Sequence, residues 1–232
     1  MILSAGLGSR MQKAGESLPK PLVMVLGKPL IYYPLQLLKK AGFKEVVINL
    51  YHRAEEIRNF LGEEFMGIKI HFLIEPRLLG TGGGIKNAQK FFPAQRWLTL
   101  NADTIIELNL KELISYHQKH NPLATMVVSQ SRTNSFTPIY LSQKNQVLAI
   151  GKKPKTPQHT IKTAYCGVQI LEENFLKYLP EAPSSLIEQG YLPALDSQEK
   201  ILGYLFSGFW IPVDDLKAKI QAETELKNRT GE

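Results

Sequence analysis

Short apolar runs alternate with amphipathic stretches along the first half of the chain. The apolar runs, bounded by polar residues or glycine, predict strands at Met1–Ser4, Glu45–Asn49, Ile68–Ile74, Trp97–Leu100 and Ala124–Ser129. Apolar residues at helical spacing predict helices at Leu30–Ala41, which Gly42 would end, and at Ala54–Leu61, Gly84–Phe91 and Leu110–His120. Strands that alternate with helices are typical of an α/β protein with a largely parallel sheet covered on both faces.

The pattern changes in the second half of the chain. Strand-like pieces separated by polar turns follow at Pro138–Leu141, Val147–Ile150 and Thr163–Leu171, and the polar tail after Asp215 predicts a terminal helix. No repeat, low-complexity segment or composition shift marks a linker. We therefore expect one domain over residues 1–232, with a first half at 1–130, a second half at 131–215 and a C-terminal helix at 216–232.

Composition narrows the class of protein. The chain has 232 residues, 44% of them hydrophobic, which is enough for a substantial core. No apolar run approaches the ~20 residues that a membrane helix needs, and the start MILSAG lacks the charge and length of a signal peptide. We therefore expect a cytoplasmic protein without a membrane partner. The single cysteine, Cys166, allows no internal disulfide and is interpreted as a buried, inert thiol.

The formal net charge of +7 is compatible with an anionic ligand. Lys and Arg are spread along the chain and form neither a basic run nor a stripe interleaved with aromatic residues, which argues against nucleic acid. Anionic small molecules are therefore the ligand class that the charge favours.

The chain opens with MILSAGLGSRM, a predicted strand that ends in two glycines. Gly6 and Gly8 allow the backbone to approach a ligand closely, and the N–H groups of such a turn suit a phosphate. Arg10 and Lys20 supply positive charge for the same ligand, and a nucleoside triphosphate would use both features. Taken alone, the motif GxGxR is explained about as well by a purely structural turn.

Two better-known phosphate motifs are absent from the sequence. No GxxxxGK[ST] occurs, and Met11 stands where a dinucleotide fingerprint has its third glycine. The acidic residue expected about 20 residues further on is also missing, because Leu26 and its neighbours are apolar or basic. A dinucleotide-dependent oxidoreductase is therefore disfavoured.

Two further segments point to the same edge of the predicted sheet. GTGGGI, at Gly80–Ile85, is interpreted as a second glycine-rich turn ahead of a helix, and Asn101-Ala102-Asp103 follows the apolar strand WLTL. A carboxylate at the carboxyl end of a central strand is where an α/β protein holds a metal with its nucleotide. The alternative for Asp103 is a helix cap or turn cap.

Together these segments resemble the sugar-phosphate nucleotidyltransferases, which make a nucleoside-diphosphate sugar and pyrophosphate from a nucleoside triphosphate and a sugar 1-phosphate. The resemblance lies in LSAGLGSRM, LPKPLVMVLGKPLI, LLGTGGGI, LNADTI, AIGKKP and the segment from SSLIEQGYLPAL to GYLFSGFWIPV. It implies a Rossmann-like three-layer α/β/α fold with a mostly parallel, mixed central sheet, and Mg²⁺ as cofactor. Compact members acting on N-acetylmuramate 1-phosphate with UTP, or on mannose-type sugar 1-phosphates with GTP, are similar in length and in the GTGGG segment.

The resemblance also implies roles for individual residues. The nucleotide would be bound by Ala5, Gly6, Gly8, Ser9, Arg10, Lys20, Thr81, Gly82 and Asn101. Among these, Arg10 and Lys20 would be the catalytic cations. Lys153 and Gly167 would bind the sugar phosphate, and Asp103 matches the metal-binding aspartate. Residues 1–130 would thus be the nucleotide-binding half and residues 131–215 the sugar-phosphate-binding half.

Several positions depart from the family pattern, mostly in the acceptor half. Ala102 replaces a glycine, Lys152 replaces an acidic residue, and Phe136–Pro138 replaces a glycine-containing segment. A second hypothesis is therefore a nucleotide- or sugar-nucleotide-binding homologue without catalytic activity, with a regulatory or assembly role. The motifs specify neither the oligomeric state nor the base, and Leu78 stands where some relatives have a glutamine that contacts uracil.

The most serious departure concerns the second metal ligand. The family's second metal aspartate lies two residues after its tryptophan, a position that Pro212 occupies here. Asp214 lies on the same face of an extended strand and is the candidate substitute for that aspartate. The alternative is that Asp214 or Asp215 caps the helix that begins near Leu216.

Overall fold

The computed structural model describes residues 1–154 and 160–230. The helices in this part of the chain are α1 (Ser9–Lys13), α2 (Tyr32–Ala41), α3 (Ala54–Leu61), α4 (Gly80–Gln89), α5 (Leu110–His120), α6 (Leu192–Asp196) and α7 (Leu216–Thr230). The strands are β1 (Ile2–Leu3), β2 (Met24–Val25), β3 (Lys28–Pro29), β4 (Glu45–Leu50), β5 (Glu64–Phe65), β6 (Ile68–Ile74), β7 (Arg96–Asn101), β8 (Thr104–Ile106), β9 (Ala124–Ser129), β10 (Pro138–Leu141), β11 (Val147–Ile150), β12 (Ile161–Glu172), β13 (Ile201–Leu205) and β14 (Trp210–Pro212). Two 3₁₀ turns lie at Lys20–Leu22 and Glu173–Tyr178, and a π-helical turn lies at Leu186–Tyr191.

The predicted strands and helices are observed, with small differences at their ends. Gly42 ends α2 in a left-handed conformation, with φ of +94°, as the sequence predicts. The terminal helix is α7, and residues 231–232 of its predicted range lie outside the described part of the chain. One prediction is wrong: GTGGGI is not a turn ahead of a helix, because α4 already begins at Gly80. No helix among the described residues has the length and apolar character needed to cross a membrane.

One compact unit comprises Met1–Leu78, Leu100–Glu107 and the described residues from Phe209 onward. In this unit β1 lies between β4 and the end of β7, and Ile2 pairs in parallel with Ile48 and with Leu100. Strand β6 extends the sheet in parallel to β4, and the short β5 pairs with β6 in antiparallel fashion. Because the parallel strands run in one direction, their carboxyl ends lie at one edge, where the loop after β1 begins.

A hydrophobic cluster in this first unit joins the segments that surround that loop. Its buried members are Met11, Val23, Val25, Leu30, Ile105, Ile211, Val213 and Ala222. Burying each large apolar side chain contributes about 1.5–3 kcal/mol. Met11 belongs to α1, Ile105 to β8 and Ile211 to β14, so one core holds all three elements together.

The other compact unit comprises the described residues of Leu79–Thr99 and Leu108–Gly208. Its longest strand, β12, pairs in antiparallel fashion with β9 and with β10. Strand β11 pairs with β10, and β13 is parallel to β9. A β-bulge interrupts the ladder between β9 and β12, and it contains Gly167 with φ of +78°.

Candidate active site

The loop after β1 contains the glycines of the GxGxR motif. Gly8 has a φ of +63°, and a Cβ at this position would lie 3.0 Å from the Cβ of Lys20. The left-handed backbone and the close approach therefore both require glycine at position 8. Gly6 is exposed, and a Cβ there would meet no atom within 4 Å, so the protein itself places no steric demand on position 6.

Lys20 lies between two carboxylates of the first unit. Its Nζ is 2.5 Å from Oδ2 of Asp103 and 2.9 Å from Oδ1 of Asp214. Arg10 also contacts Asp214, with 3.1 Å between Nη2 and Oδ1. The side chain of Lys20 is only 13% exposed, whereas that of Arg10 is 65% exposed. The structure thus brings together two cations and two carboxylates that the sequence had singled out.

The antiparallel pairing of β8 with β14 places the two aspartates side by side. Asp103 directly precedes β8, and Asp214 lies just after β14. Pro212 pairs with Thr104, and the N–H of Val213 donates to the carbonyl oxygen of Asp103 at 2.8 Å. A carboxylate therefore reaches Lys20 from the end of β14 although position 212 itself supplies none.

The neighbouring Asp215 has a different role. Its Oδ1 accepts a hydrogen bond from the N–H of Ala218 at 2.8 Å, at the start of α7. This is the arrangement of a helix N-cap, which satisfies an N–H group that has no partner inside the helix. Of the two adjacent aspartates, Asp215 caps the helix and Asp214 contacts Lys20.

The partners of Lys20 stabilise its charged form. Burial would lower the pKa of Lys20, but the charges and hydrogen bonds of Asp103 and Asp214 together raise it above its ordinary value of 10.5. Lys20 is therefore a cation at neutral pH. The positive charge that lies between the two carboxylates is thus maintained throughout the physiological pH range.

Two carboxylates that converge on one cation suit a hard divalent metal. Mg²⁺ is typically held by one or two carboxylates together with waters and substrate phosphates. Among residues 1–154 and 160–230, no group of three or more His, Cys, Asp or Glu side chains is arranged to hold a metal ion. A metal at Asp103 and Asp214 would therefore need further oxygen ligands from a bound substrate and from water.

Two buried residues that the sequence analysis did not single out position the start of the loop. Asn49 accepts a hydrogen bond from the N–H of Ser4 at 3.0 Å and donates from Nδ2 to Oε1 of Glu75 at 2.8 Å. Glu75 directly follows the apolar strand β6, as Asp103 follows β7. The pattern that identified Asp103, an acidic residue just after an apolar strand, could therefore have identified Glu75 as well. Ala5, the next residue after Ser4, is buried as well.

A second set of contacts holds the loop that follows α1. Arg53 donates from Nη1 to the carbonyl oxygen of Ser17 at 2.5 Å, and Glu56 fixes the same guanidinium through its Nε and Nη2. Next to Arg53, His52 accepts a hydrogen bond from Nε2 of Gln12 at 2.8 Å. These contacts join residues that are far apart in the chain, and no motif in the sequence indicates them.

The remaining nucleotide candidates near β1 lie at the ends of their elements. Asn101 is the last residue of β7 and pairs with Leu3 of β1. Ser9 is exposed and is the first residue of α1, directly ahead of Arg10. The first N–H groups of a helix have no partner inside the helix, so the start of α1 presents donors beside the two cations.

The glycines of GTGGG are required by packing in the second unit. A Cβ at Gly80 would lie 2.6 Å from the carbonyl oxygen of Ser184, and one at Gly82 would lie 2.7 Å from Oγ of Ser184. A Cβ at Gly83 would lie 2.8 Å from the carbonyl oxygen of Ala182. Any larger residue would collide at these positions, so the glycines let α4 approach residues 182–184 closely.

Hydrogen bonds reinforce the same contact at the start of α4. The N–H of Gly82 donates to the carbonyl oxygen of Ser184 at 3.0 Å, and Oγ1 of Thr81 accepts from the N–H of Leu186 at 3.0 Å. Gly82 is buried, and Thr81 is exposed. The two residues that the family resemblance assigns to the nucleotide base thus also have a structural role.

The two residues predicted to bind the sugar phosphate also lie in the second unit. Lys153 is exposed and follows β11, and Gly167 is buried in the bulge of β12. Cys166, next to Gly167, is a free and buried cysteine, and burial raises the pKa of its thiol. This agrees with the buried, inert thiol that the sequence predicts.

Comparison with known proteins identifies the family. The sequence profile described as "Nucleotidyl transferase" matches residues 1–229. UTP–glucose-1-phosphate uridylyltransferase of Synechocystis sp. is 29% identical over 196 residues, which cover 78% of this chain and 50% of the relative. Mannose-1-phosphate guanyltransferase of Hypocrea jecorina is 29% identical over 222 residues, which cover 94% of this chain and 61% of the relative. The chain thus spans 50–61% of the length of these relatives.

Solved structures with the same fold include HddC from Yersinia pseudotuberculosis in complex with GMP-PN. It superposes with a TM-score of 0.80 at 25% identity and covers 97% of this chain and 98% of its own. A putative glucose-1-phosphate thymidylyltransferase from Bacillus anthracis has the same TM-score at 18% identity, which shows the fold alone, and covers 98% of this chain and 94% of its own. The predicted Rossmann-like α/β fold class is confirmed.

The family resemblance seen in the sequence is confirmed as well, because the profile match covers nearly the whole chain. Nucleotidyl transferases of this kind generally use a divalent metal. The chain belongs to the nucleotidyl transferase family.

Proposed function

We propose that this protein transfers a nucleotidyl group from a nucleoside triphosphate to a sugar 1-phosphate, forming a nucleoside-diphosphate sugar and pyrophosphate. The observation that carries this proposal is the position of Lys20, between Asp103 and Asp214 and directly beside the glycine loop. The relatives named as uridylyl- and guanylyltransferases of sugar 1-phosphates support the same reaction.

The proposed reaction needs alignment and positive charge rather than a general base. A phosphate monoester has a second pKa near ~6, so the attacking oxygen of a sugar 1-phosphate is mostly anionic at neutral pH. This oxygen attacks the α-phosphorus, the bond to the oxygen that bridges to the β-phosphate breaks, and pyrophosphate leaves with the electron pair. Lys20 and Arg10 would balance the negative charge on the reacting phosphates and hold them in line.

Mg²⁺ is the cofactor that we propose, with Asp103 and Asp214 as its protein ligands. When bound, such an ion would neutralise phosphate charge in the reaction. The donor set supports the assignment, because both carboxylates already face a cation, Nζ of Lys20. Two carboxylates supplemented by substrate oxygens are a common protein site for this ion.

The proposed role of Asp214 can be tested against its neighbour Asp215. We expect Asp214→Asn to raise the Mg²⁺ concentration for half-maximal turnover by about tenfold, and Pro212→Asp to lower it. Asp215→Asn is the matched control, because asparagine also caps a helix, and it should leave the Mg²⁺ requirement unchanged. Binding of Mn²⁺, followed by electron paramagnetic resonance, gives a readout that does not depend on turnover. If neither Asp214→Asn nor Pro212→Asp changes metal binding, Asp103 is the only carboxylate ligand.

For the substrates, we propose GTP with a mannose-type sugar 1-phosphate or UTP with N-acetylmuramate 1-phosphate. The guanylyltransferase relatives and the HddC complex with GMP-PN support the first pair. The Synechocystis uridylyltransferase supports UTP as the nucleotide. Thermal shifts with UTP, GTP, CTP and dTTP would identify the base, because a ligand that binds only the folded state raises the melting temperature.

The activity is tested by pyrophosphate release from a panel of nucleoside triphosphates and sugar 1-phosphates. Release that requires both substrates supports the proposed transferase. The second candidate function is a nucleotide- or sugar-nucleotide-binding homologue without catalytic activity, with a regulatory or assembly role, which Pro212 favours because it removes the expected carboxylate. Stabilisation by a nucleotide without pyrophosphate release from any pair would support that candidate. A protein that neither a nucleoside triphosphate nor a nucleoside-diphosphate sugar stabilises would contradict both functions.

The proposal also covers the division of the chain into two halves, the location of the protein and the remaining substrate-binding residues. It comprises a nucleotide-binding half at residues 1–130, a sugar-phosphate-binding half at residues 131–215 and a cytoplasmic location without nucleic-acid or membrane partners. Lys153 and Gly167 are proposed ligands of the sugar phosphate, and Thr81 and Gly82 are proposed neighbours of the base.

A further inference from the structure

A short segment of the first unit joins the two cations of the candidate site. Residues 11–19, here called the linking segment, connect Arg10 to Lys20. Residues 12–18 of this segment are exposed except Glu16, which is partly buried. A segment with few buried apolar contacts has low local stability. Its position must therefore depend on polar contacts with other parts of the unit.

The position of Lys20 tolerates little movement of the linking segment. A Cβ at Gly8 would lie 3.0 Å from the Cβ of Lys20, so the glycine loop packs closely against the start of this side chain. The other end of the side chain contacts the carboxylates of Asp103 and Asp214. A misplacement of about 1 Å in an active site can lower the rate about a hundredfold. We therefore expect the linking segment to need an anchor outside itself.

Arg53 supplies such an anchor from the start of α3. It lies three residues after β4, whose parallel pairing with β1 places both strand ends at the edge where the glycine loop begins. Its Nη1 donates to the carbonyl oxygen of Ser17 at 2.5 Å. This oxygen belongs to the backbone, and Ser17 is only three residues ahead of Lys20. The bond therefore restrains the chain itself rather than a mobile side chain.

Glu56 fixes the direction in which the guanidinium of Arg53 points. Oε1 of Glu56 accepts from Nε and Oε2 accepts from Nη2, both at 2.5 Å. A bidentate pair uses the planar fork of arginine and holds it in one orientation. The remaining nitrogen, Nη1, is thereby directed at Ser17. One side chain thus ties the first turn of α3 to the linking segment.

The backbone of Arg53 is unusual for an arginine. Its φ is +53° and its ψ is +40°, a left-handed conformation that glycine adopts most easily. Arg53 also occupies the N-cap position of α3, where serine, threonine, asparagine and aspartate are preferred. Neither preference explains an arginine at this position. The contacts of its guanidinium with Glu56 and Ser17 do explain it.

Two other contacts of the linking segment are weaker. Nε2 of Gln12 donates to His52 at 2.8 Å, a bond without the charge of a guanidinium. Nζ of Lys219 lies 4.0 Å from Oε2 of Glu16, which is too far for a hydrogen bond. A charge-assisted bond is roughly twice as strong as a neutral one. We therefore expect Arg53 to be the main anchor of the segment.

We propose that Arg53 is a positioning residue that holds the linking segment and thereby sets the positions of Arg10 and Lys20 for a bound triphosphate. The inference rests on the proposed function, because that function assigns both cations to the triphosphate. Arg53 acts through the backbone of Ser17 and does not need to touch the substrate. Its removal should therefore loosen the segment and weaken triphosphate binding, while the rest of the unit stays folded.

Three variants of the full chain test this role. Arg53→Ala removes the guanidinium, and Arg53→Gly removes it while relieving the left-handed backbone. Arg58→Ala is the matched control, because Arg58 lies in the same helix and pairs with Glu55 at 3.1 Å. The guanidinium of Arg58 lies over the ring of Phe72, which belongs to β6. The control therefore removes a similar ion pair and leaves the contact with Ser17 intact.

Two measurements separate positioning from stability. Hydrogen exchange would report on the linking segment, because the N–H groups of Ala14, Gly15 and Glu16 are hydrogen-bonded within it. Isothermal titration with inorganic tripolyphosphate, GTP and UTP would give the dissociation constant and the number of binding sites per chain. Loss of folded protein lowers the number of sites, whereas loss of positioning raises the dissociation constant. Melting curves would show which variants are folded.

We expect both Arg53 variants to exchange about tenfold faster in the linking segment than the wild type, because a charge-assisted bond is lost. Their affinity for tripolyphosphate, and for whichever of GTP and UTP the wild type binds, should fall about tenfold. The number of binding sites should not change. Arg58→Ala should stay within about twofold of the wild type in both measurements. If Arg53→Ala does not fold, Arg53→Gly decides the question.

Three results would overturn the role of Arg53. These are unchanged exchange in the linking segment, faster exchange with unchanged affinity for every triphosphate, and equal effects in Arg58→Ala. Release of pyrophosphate by the wild type alongside any of them would leave the proposed transferase standing. Conversely, triphosphate binding that depends on Arg53, without pyrophosphate release from any substrate pair, would contradict the transferase and support the positioning role. A wild type that binds no triphosphate would overturn both.

Discussion

Two glycine-rich segments that look alike in the sequence have different surroundings in the structure. In the first unit, Gly6 of GLGSR is exposed, and a Cβ there would meet no atom within 4 Å. In the second unit, a Cβ at Gly80, Gly82 or Gly83 of GTGGG would lie 2.6–2.8 Å from another part of the chain. The space beside Gly6 is open to a ligand, whereas the space beside Gly80, Gly82 and Gly83 is filled by the protein itself.

The two units also contain ionisable groups with different exposure. In the first unit, Arg10 is largely exposed beside Lys20 and the glycine loop. In the second, His117 is fully buried, with Nδ1 2.7 Å from Oγ1 of Thr125 and Nε2 2.7 Å from Oε1 of Glu172. A buried group with a partner on each nitrogen stabilises the fold, whereas exposed cations beside an open loop are accessible to substrate. Changes at the exposed cations of the first unit should therefore alter activity, and changes at His117 should alter stability.

The largest expected effect is the loss of turnover in Asp103→Asn. We expect turnover to fall by about a thousandfold or more, because the proposed metal ligand beside the reacting phosphates would lose its charge. The free energy of unfolding should change by no more than about 1 kcal/mol, since the carboxylate is 28% exposed. Pyrophosphate release and urea unfolding would measure the two quantities. Glu107→Gln, which alters an exposed carboxylate of the same unit, is the control, and full activity in Asp103→Asn would contradict the assignment.

The next largest effect is the destabilisation of Gly80→Ala. Position 80 has a φ of +71°, and the new Cβ would lie 2.6 Å from the carbonyl oxygen of Ser184. Together the strained backbone and the collision should lower the free energy of unfolding by about 3 kcal/mol. Gly6→Ala, the matched change in the first unit, should alter it by less than about 0.5 kcal/mol and should instead weaken nucleotide binding. Urea unfolding of both variants is the test, and similar losses of stability would remove the contrast between the two segments.

Arg10→Ala is expected to lower turnover by about a hundredfold while the fold survives. The variant would lose the proposed charge-assisted contact to the triphosphate, and each factor of ten in turnover corresponds to about 1.4 kcal/mol. Because the side chain is 65% exposed, little packing is lost. Lys13→Ala is the matched control, since it removes an exposed cation from the same helix. Equal turnover in the two variants would show that Arg10 does not contact the substrate.

The smallest expected effect is a change in how stability depends on pH. Burial lowers the pKa of His117 below its ordinary 6.5, and Arg96 lowers it further, against the opposing effect of Glu172. Below pH 6.5 the unfolded chain therefore binds a proton that folded His117 does not, so the stability that neutral His117 contributes is lost as the pH falls. The slope cannot exceed about 1.4 kcal/mol per pH unit for one proton.

Melting temperatures of the wild type and of His117→Gln between pH 5 and pH 8 would measure that dependence. Below pH 6.5 the melting temperature of the variant should fall less steeply than that of the wild type. Parallel curves would mean that other groups cause the decline. Turnover at pH 8 should be the same in both proteins, which would separate this buried group from the cations of the first unit.

Most strands and helices could be predicted because their signals are local. The apolar run of β6 and the periodic pattern of α5 contain enough information in a few consecutive residues to indicate the element. GTGGG is the exception, because glycine is a poor helix former and its local signal favours a turn. Its helix forms because α4 packs and hydrogen-bonds against Ser184, a residue that is distant in the chain.

The chemistry of the candidate site was also readable from the chain. A strand that ends in glycines and is followed by the cations Arg10 and Lys20 indicates a phosphate site. The carboxylate of Asp103 after another strand indicates a metal site at the same edge of the sheet. The roles of the adjacent aspartates Asp214 and Asp215 were not readable, because either could have capped the terminal helix. The register of β14 against β8 decides between them, since a slip of one residue would turn every side chain to the opposite face. That register depends on contacts between residues about a hundred positions apart, and such contacts exist only in the folded chain.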